Sequence, residues 1–198
     1  MYYLYMPKKS NRSDILEAGR EVMFRSGYNG ASVRTISTAA GVPLGSFTNH
    51  FRSKEAFAAE VLDNYFAYLT NIVTETLGNT ATPALERLQN YFQVIGKRLA
   101  EDKWERGCLI GDLSAEATMQ SEPLRRQLQT IFETWRAPFT ACITEAQSRG
   151  AIKNPEDAQE LAEFILAAWE GTILRMKTER NAEALERFQK ILFQTILR

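Results

Sequence analysis

Ser32-Val33-Arg34-Thr35-Ile36-Ser37-Thr38-Ala39-Ala40-Gly41-Val42-Pro43-Leu44-Gly45-Ser46-Phe47-Thr48-Asn49-His50-Phe51 reads as two short helices joined by one glycine-centred turn. Ser32 can cap the first helix, which carries Val33, Ile36 and Ala40, and Gly41 stops it. Pro43, whose fixed φ suits a first helical turn, opens the second helix, which runs through Phe47 to about His50. Val33, Ile36, Val42, Phe47 and Phe51 can pack this pair onto a preceding helix, which leaves Leu44, Gly45, Ser46, Thr48 and Asn49 facing outward. That is helix-turn-helix geometry, and an outer face of small and hydrogen-bonding residues suits a DNA major groove. Gly45 permits close approach of the backbone, Asn49 can read an adenine edge, and Thr48 can bond a phosphate or touch a thymine methyl. The same residues also fit an ordinary solvated helix surface.

Upstream, a first helix starts at Asn11, with Ile15, Ala18, Val22 and Met23 on its buried face, and ends near Gly27. Ser53 caps a fourth helix whose apolar side is Phe57, Val61, Leu62, Tyr65, Leu69 and Ile72. Ser53 and Lys54 bring a hydroxyl and a cation to a helix start already favourable to phosphate. Pro83 opens a fifth helix, a shorter one lies within residues 107–118, and residues 121–149 form a long helix in which Pro138 should impose a kink. The last two helices span about 155–177 and 182–197. Apolar spacing of three and four recurs throughout, so the expected fold is all-α with about nine helices. The expected organisation is an N-terminal extension over residues 1–10, a helix-turn-helix head over 11–53, and a ligand-binding and dimerisation domain over 54–198.

Composition agrees with a folded protein: 44% of the 198 residues are hydrophobic and 24% charged. The formal charge is zero, but residues 1–60 hold eight Lys/Arg against five Asp/Glu and the remainder sixteen against nineteen, so the head is net +3 and the rest net −3. Cys108 and Cys142 give neither a disulfide framework nor zinc spacing, and with no export signal they point to a reducing, cytoplasmic setting. The longest apolar run, Phe164 to Trp169, is far short of the roughly 20 residues that span a bilayer, so no membrane partner is expected. His50 is the only histidine and no glycine-rich phosphate loop or metal-ligand cluster is present. No metal, cofactor or enzymatic activity is therefore expected.

Over residues 11–58 the sequence resembles the TetR family of bacterial transcriptional regulators. Phe24-Arg25-Ser26-Gly27-Tyr28 matches the family's Phe-x-x-Gly-Tyr ending of the first helix, and Ser32 to Ile36 its Thr/Ser-Val-Arg-x-Ile segment. Ala40 to Val42 and Gly45 to Glu55 match the following Ala-Gly-Val and Gly-Ser-Phe/Leu-Tyr-x-His/Tyr-Phe-x-Ser-Lys-Glu patterns, except at Thr48, which stands where a phosphate-binding tyrosine is common. Leu44 likewise replaces a frequent lysine or polar residue. The resemblance implies that Ser32, Arg34, Ser46, Asn49, His50 and Lys54 touch operator DNA. It also implies a homodimer in which helices four to nine enclose a small-molecule cavity and the last two pair across a two-fold axis.

The pairing reading suits Ala162, Ala167, Ala168 and Gly171 on the penultimate helix and Leu185, Phe188, Leu192 and Ile196 on the last, faces that can equally complete a monomer core. The candidate effector lining is Tyr65, Tyr68, Tyr91, Phe92, Trp104, Cys108, Met119, Trp135, Trp169 and Met176, and each of these also fits plain core. Gly107-Cys108-Leu109 and Leu113-Ser114-Ala115-Glu116 resemble the NemR-like members of the family, which answer to electrophiles and oxidants through that cysteine. A thiol in that role gains from a helix N-terminus or a nearby cation, Arg106 or Lys177, that lowers its pKa; the other reading of Cys108 is a small buried hydrophobe. Cys142 reads as core. The expected function is a repressor released by a small molecule, electrophile or oxidant, against the alternative of a helical scaffold that binds only protein or effector.

Overall fold

Local turn chemistry fixes most helix ends. In the computed structural model, which describes residues 11–198, α1 spans Arg12–Gly30, α2 Val33–Ala39, α3 Leu44–His50, α4 Lys54–Thr76 and α5 Ala84–Glu101. α6 spans Leu109–Ala117, α7 Glu122–Ser148, α8 Ala158–Glu179 and α9 Glu183–Ile191, and a π-helical turn covers Leu192–Ile196. No strand occurs among the described residues, as an all-α fold requires, and residues 1–10, the expected extension, lie outside them. No helix of the described residues is long and apolar enough to cross a membrane.

Several ends differ from the sequence expectation for identifiable reasons. α1 does break its regular geometry at Gly27, which takes a left-handed φ of 69°, but one further turn carries Tyr28 inward before the chain leaves the helix at Gly30. Asn11 caps with its carbonyl rather than its side chain. α8 begins at Ala158 instead of 155 because Asp157 Oδ1 accepts from the backbone N–H groups of Gln159 at 2.8 Å and Glu160 at 3.2 Å. α7 continues as helix through Pro138, and the last helix gives way to the π turn at Leu192 instead of running to 197.

The chain divides into two compact units, the first ending at Val61. The boundary falls inside α4, beyond the expected 53, because the first turns of that helix supply core to the head. Ile15 and Met23 of α1, Ile36 of α2, Phe47 of α3 and Phe57 of α4 are all fully buried. Phe47, Phe51 and Phe57 form a ring cluster with centroids 4.9 to 5.2 Å apart, Phe51 meeting Phe57 nearly edge-on at 87°. Phe57 reaches α1 over Gly19, where an added Cβ would overlap the ring and press Ile36 Cγ2 at 3.1 Å. The buried position is therefore Gly19, where the sequence pattern had placed Ala18.

In the second unit α7 packs against α5 and α8, and α8 against α9. Their shared core is aromatic: the Phe92 ring meets Trp169 at 4.9 Å and Phe188 at 5.2 Å, and Tyr91 meets Phe139 at 4.9 Å. Arg87, buried within α5, donates to the Leu77 carbonyl at 2.8 Å and pairs with Glu145 of α7. Cys142 Sγ donates to the same carbonyl at 3.5 Å, which fits its reading as core.

Gly19→Ala gains roughly 1 kcal/mol of helix propensity but forces a methyl into a ring wedged by two others. We expect a net loss of about 1–2 kcal/mol in urea unfolding of the purified chain. An unchanged or raised midpoint would mean that the Phe57 ring yields without cost.

Candidate nucleic-acid interface and sensor site

The head presents α3 through a rigid turn. Ser32 Oγ accepts from Thr35 N at 3.0 Å and sits 2.7 Å from Thr35 Oγ1, capping α2. Gly41, at φ 66°, reverses the chain, and Val42 N donates to the Ser37 carbonyl at 3.0 Å. Phe47 then anchors α3 inward at 1% exposure, so that Leu44, Gly45, Thr48 and Asn49 stand exposed and Ser46 and His50 half-buried. Ser32 and Arg34 are exposed on the α2 side.

Two details refine this surface. A Cβ at Gly45 would meet nothing within 4 Å, so the intact fold does not require glycine there. Thr48 Oγ1 donates back to the Gly45 carbonyl at 3.1 Å, which leaves its oxygen as an acceptor and its methyl as an apolar contact. Lys54, at the start of α4, is held with its ammonium 4.4 Å from the Tyr28 ring centre and 3.5 Å from the Asn29 carbonyl. Ser53 Oγ caps the same helix by accepting from Ala56 N at 3.0 Å. Tyr28 is thus the partner that orients Lys54.

The ten expected effector-lining residues separate into three groups. Tyr65, Tyr91 and Cys108 lie around one half-buried residue, Glu170, and Trp135 Nε1 donates to Tyr91 Oη at 3.1 Å. Phe92, Trp169 and Met176 are core. Tyr68, 41% exposed under the Arg98 guanidinium, Trp104, half-exposed on a left-handed residue, and Met119, 93% exposed, lie open to solvent. For these three the aromatic or sulfur content had suggested a lining that their helix phase and loop position do not allow.

Cys108 is the N-cap residue of α6, and its surroundings differ from the expectation of a cation-stabilised thiolate. Lys177 Nζ lies 3.0 Å from Asp112 Oδ2, and Arg106 Nε 3.7 Å from Asp102 Oδ1. The group on the thiol is Glu170, which accepts a hydrogen bond from it. Burial and then the Glu170 charge push the Cys108 thiol well up, and the N–H groups of Gly111 and Ile110 only partly oppose them. Burial also pushes the Glu170 carboxyl up to about 7, with Asp112 adding to the rise and the Cys108 hydrogen bond opposing it. The carboxyl lies directly over Gly111, where a Cβ would overlap Oε2, and its Oε1 is buried without a hydrogen-bond partner. Glu170 was missed although it falls on the 3–4 stripe between Leu166 and Ile173, where a carboxylate interrupts apolar residues.

The residues read as a pairing face divide between surface and core. Ala167 and Gly171 are exposed and Ala168 half-buried, beside Phe164, Leu174 and Ile191, which are 53%, 62% and 48% exposed. Ala162 and Leu185 turn inward instead, at 0% and 2%, and Leu192 is buried. An apolar groove of about 440 Å³ runs between α8 and α9 past Phe164, Gly171 and Phe188.

Comparison with known proteins adds independent findings. Residues 15–61 match the model for bacterial regulatory proteins of the tetR family, and residues 84–192 that for the tetracyclin repressor-like C-terminal domain. The chain is 42% identical to the HTH-type transcriptional repressor DhaR of Mycobacterium sp. (strain GP1), over 97% of this chain and 95% of that protein. Among solved structures it resembles a regulatory protein TetR from Rhodobacter sphaeroides, with TM-score 0.88 and 29% identity over 93% of this chain and 97% of that one. It also resembles the reduced form of Escherichia coli NemR, with TM-score 0.78 and 26% identity over 90% and 92%.

A carboxyl raised from 4.5 to about 7 on folding favours the folded state when protonated. The stability it contributes is complete below about pH 4.5 and is lost as pH rises through about 7, on the order of 3 kcal/mol in all. Glu170→Gln should remove this slope and unfold at a higher urea concentration than the parent at pH 8. Parallel pH–stability curves for the two proteins would show that the carboxyl is solvated.

Proposed function

The chain belongs to the TetR family of bacterial DNA-binding transcriptional repressors, and from that premise we propose that it works as a homodimer which a small electrophile releases from its operator. The observation that carries the DNA half of this reading is the α3 surface: a buried Phe47 behind, and Leu44, Gly45, Ser46, Thr48, Asn49 and His50 in front. Gly45 lets the helix backbone lie close to base edges, Asn49 offers a bidentate amide, and Ser32, Arg34 and Lys54 supply phosphate contacts. With Leu44 and Thr48 at the tip, the surface favours contacts to thymine methyls over arginine–guanine pairs.

The exposed apolar side of α8 and α9, with Gly171 open to close approach, supports the homodimer, because a two-fold pair is what two half-sites one helical turn apart demand. Effector recognition is assigned to Tyr65, Tyr91, Cys108, Trp135 and Glu170, with Cys108 the modified atom. Tyr65 lies on α4, the helix whose first turns complete the head, so a change at the thiol has a covalently continuous element through which to re-aim α3. A bacterial operator places this activity in the cytoplasm, where the two thiols stay reduced.

The test is binding of the purified chain to DNA from upstream of its own gene at roughly 50 and 200 mM salt, with and without methyl vinyl ketone. Parent affinity should fall at least about tenfold with salt and vanish on treatment, while Cys108→Ser stays bound. Gly45→Ala should keep its melting temperature and lose at least about tenfold in affinity, the loss of one good contact. Absent or salt-indifferent binding would replace the operator reading with a protein-binding scaffold, and binding that ignores the electrophile would remove Cys108 from the switch.

A further inference from the structure

Cys108 poses a chemical difficulty that its neighbours resolve. A thiol pushed up by burial and by a facing carboxylate holds almost no thiolate at neutral pH, so it cannot react in the manner of a cysteine beside a cation. The groups around it belong to several helices: Tyr65 of α4, Tyr91 of α5 and Glu170 of α8 face the thiol, and Asp112 of α6 faces Glu170. Asp112 is neutralised by Lys177, and the two tyrosines are themselves protonated, which leaves Glu170 as the sole listener to the thiol proton among these groups. Glu170 also lines a cleft of about 420 Å³ between α7 and α8, together with Phe132, Leu166, Glu133 and an Arg136 already paired with Glu163 at 2.8 Å.

We propose that Glu170 is the proton shuttle for Cys108: its carboxylate takes the thiol proton as the sulfur adds to a small uncharged α,β-unsaturated carbonyl compound, and the carboxyl then returns that proton to the adduct. The proposal rests on the electrophile reading above and names its chemistry. Sulfur gives an electron pair to the β-carbon, the carbon–carbon π pair moves to the α-carbon as an enolate, and the S–H proton passes to Glu170. The protonated carboxyl delivers it to the α-carbon, so thiol plus alkene becomes thioether, with Glu170 regenerated and no other reactant used.

Two features favour this class of electrophile. Glu170 has one oxygen engaged over Gly111 on the Cys108 side and a second, Oε1, buried without a partner, and an acceptor that must be protonated after attack uses such a carboxyl twice. With Glu163 paired to Arg136, Glu170 and Glu133 repel an anionic electrophile from the cleft, while Phe132 and Leu166 favour an uncharged one. A carboxyl that titrates near neutrality is also matched to taking and releasing a proton there.

The experiment follows formation of the Cys108 adduct by mass spectrometry of the full chain with methyl vinyl ketone, across pH, in parent and Glu170→Gln. In the parent the rate should climb through about pH 7 as the carboxylate forms. At pH 7.5 Glu170→Gln should be slower by about 100-fold and should gain rate only where the thiol itself ionises. Native near-ultraviolet circular dichroism establishes that the variant is folded, and the parent's own pH profile is informative without it. Equal rates and profiles in the two proteins, or a parent profile that rises only with thiol ionisation, would overturn the shuttle while leaving Cys108 as the modified residue. No adduct at Cys108 in either protein would overturn the electrophile reading together with it.

Discussion

The seating of the Phe57 ring on Gly19 is the contact on which the head depends. It lets α4 begin its course against α1, and it completes the three-ring cluster with Phe47 and Phe51 that holds α3 by its inner face. With Phe47 fixed inward, the phase of a seven-residue helix is determined, and its outer positions follow without further support. A helix this short has little stability of its own, so its orientation must come from packing. That explains why the compact head runs on to Val61 and why the rings of Phe47, Phe51 and Phe57 meet at its centre.

The second unit is organised around the opposite kind of contact, a polar group that the core does not satisfy. Burying Glu170 over Gly111 with one oxygen unpartnered costs stability, and a well-packed apolar residue would avoid that cost. A carboxyl held in this way stays sensitive to whatever happens at the neighbouring thiol. Alkylation of Cys108 both removes the hydrogen bond that Glu170 accepts and adds volume beside Tyr65 and Tyr91, so one event changes charge, hydrogen bonding and packing together. The coupling expected of a switch needs such a simultaneous change at an element with two arrangements.

What was legible in the sequence was mostly local. Ser32, Gly41, Pro43 and Ser53 punctuate the chain through hydrogen bonds and φ preferences that act over three or four residues, and the helices they bound appear where they were read. Met119 and Tyr68 were misplaced because residue type says which side chains favour a lining but not which way a loop or helix turns them. The same gap hid the Tyr28–Lys54 contact and the Asp112–Lys177 pair, in which each partner lies far along the chain from the other. Glu170 was hidden differently: charged residues are common on helices, and only its phase on the α8 stripe marked this carboxyl as turned inward. Gly19 was overlooked because a glycine inside a helix reads as a weakness until the ring it admits is known.

Two copies of this head meeting two half-sites on one face of DNA leave a distinct mark in a hydroxyl-radical footprint of the purified chain on the region upstream of its own gene. Two protected patches are expected, related by a two-fold axis and centred about one helical turn apart, roughly 10 base pairs, or a whole multiple of that. A single protected patch, or none at concentrations where the chain is folded, would contradict this arrangement.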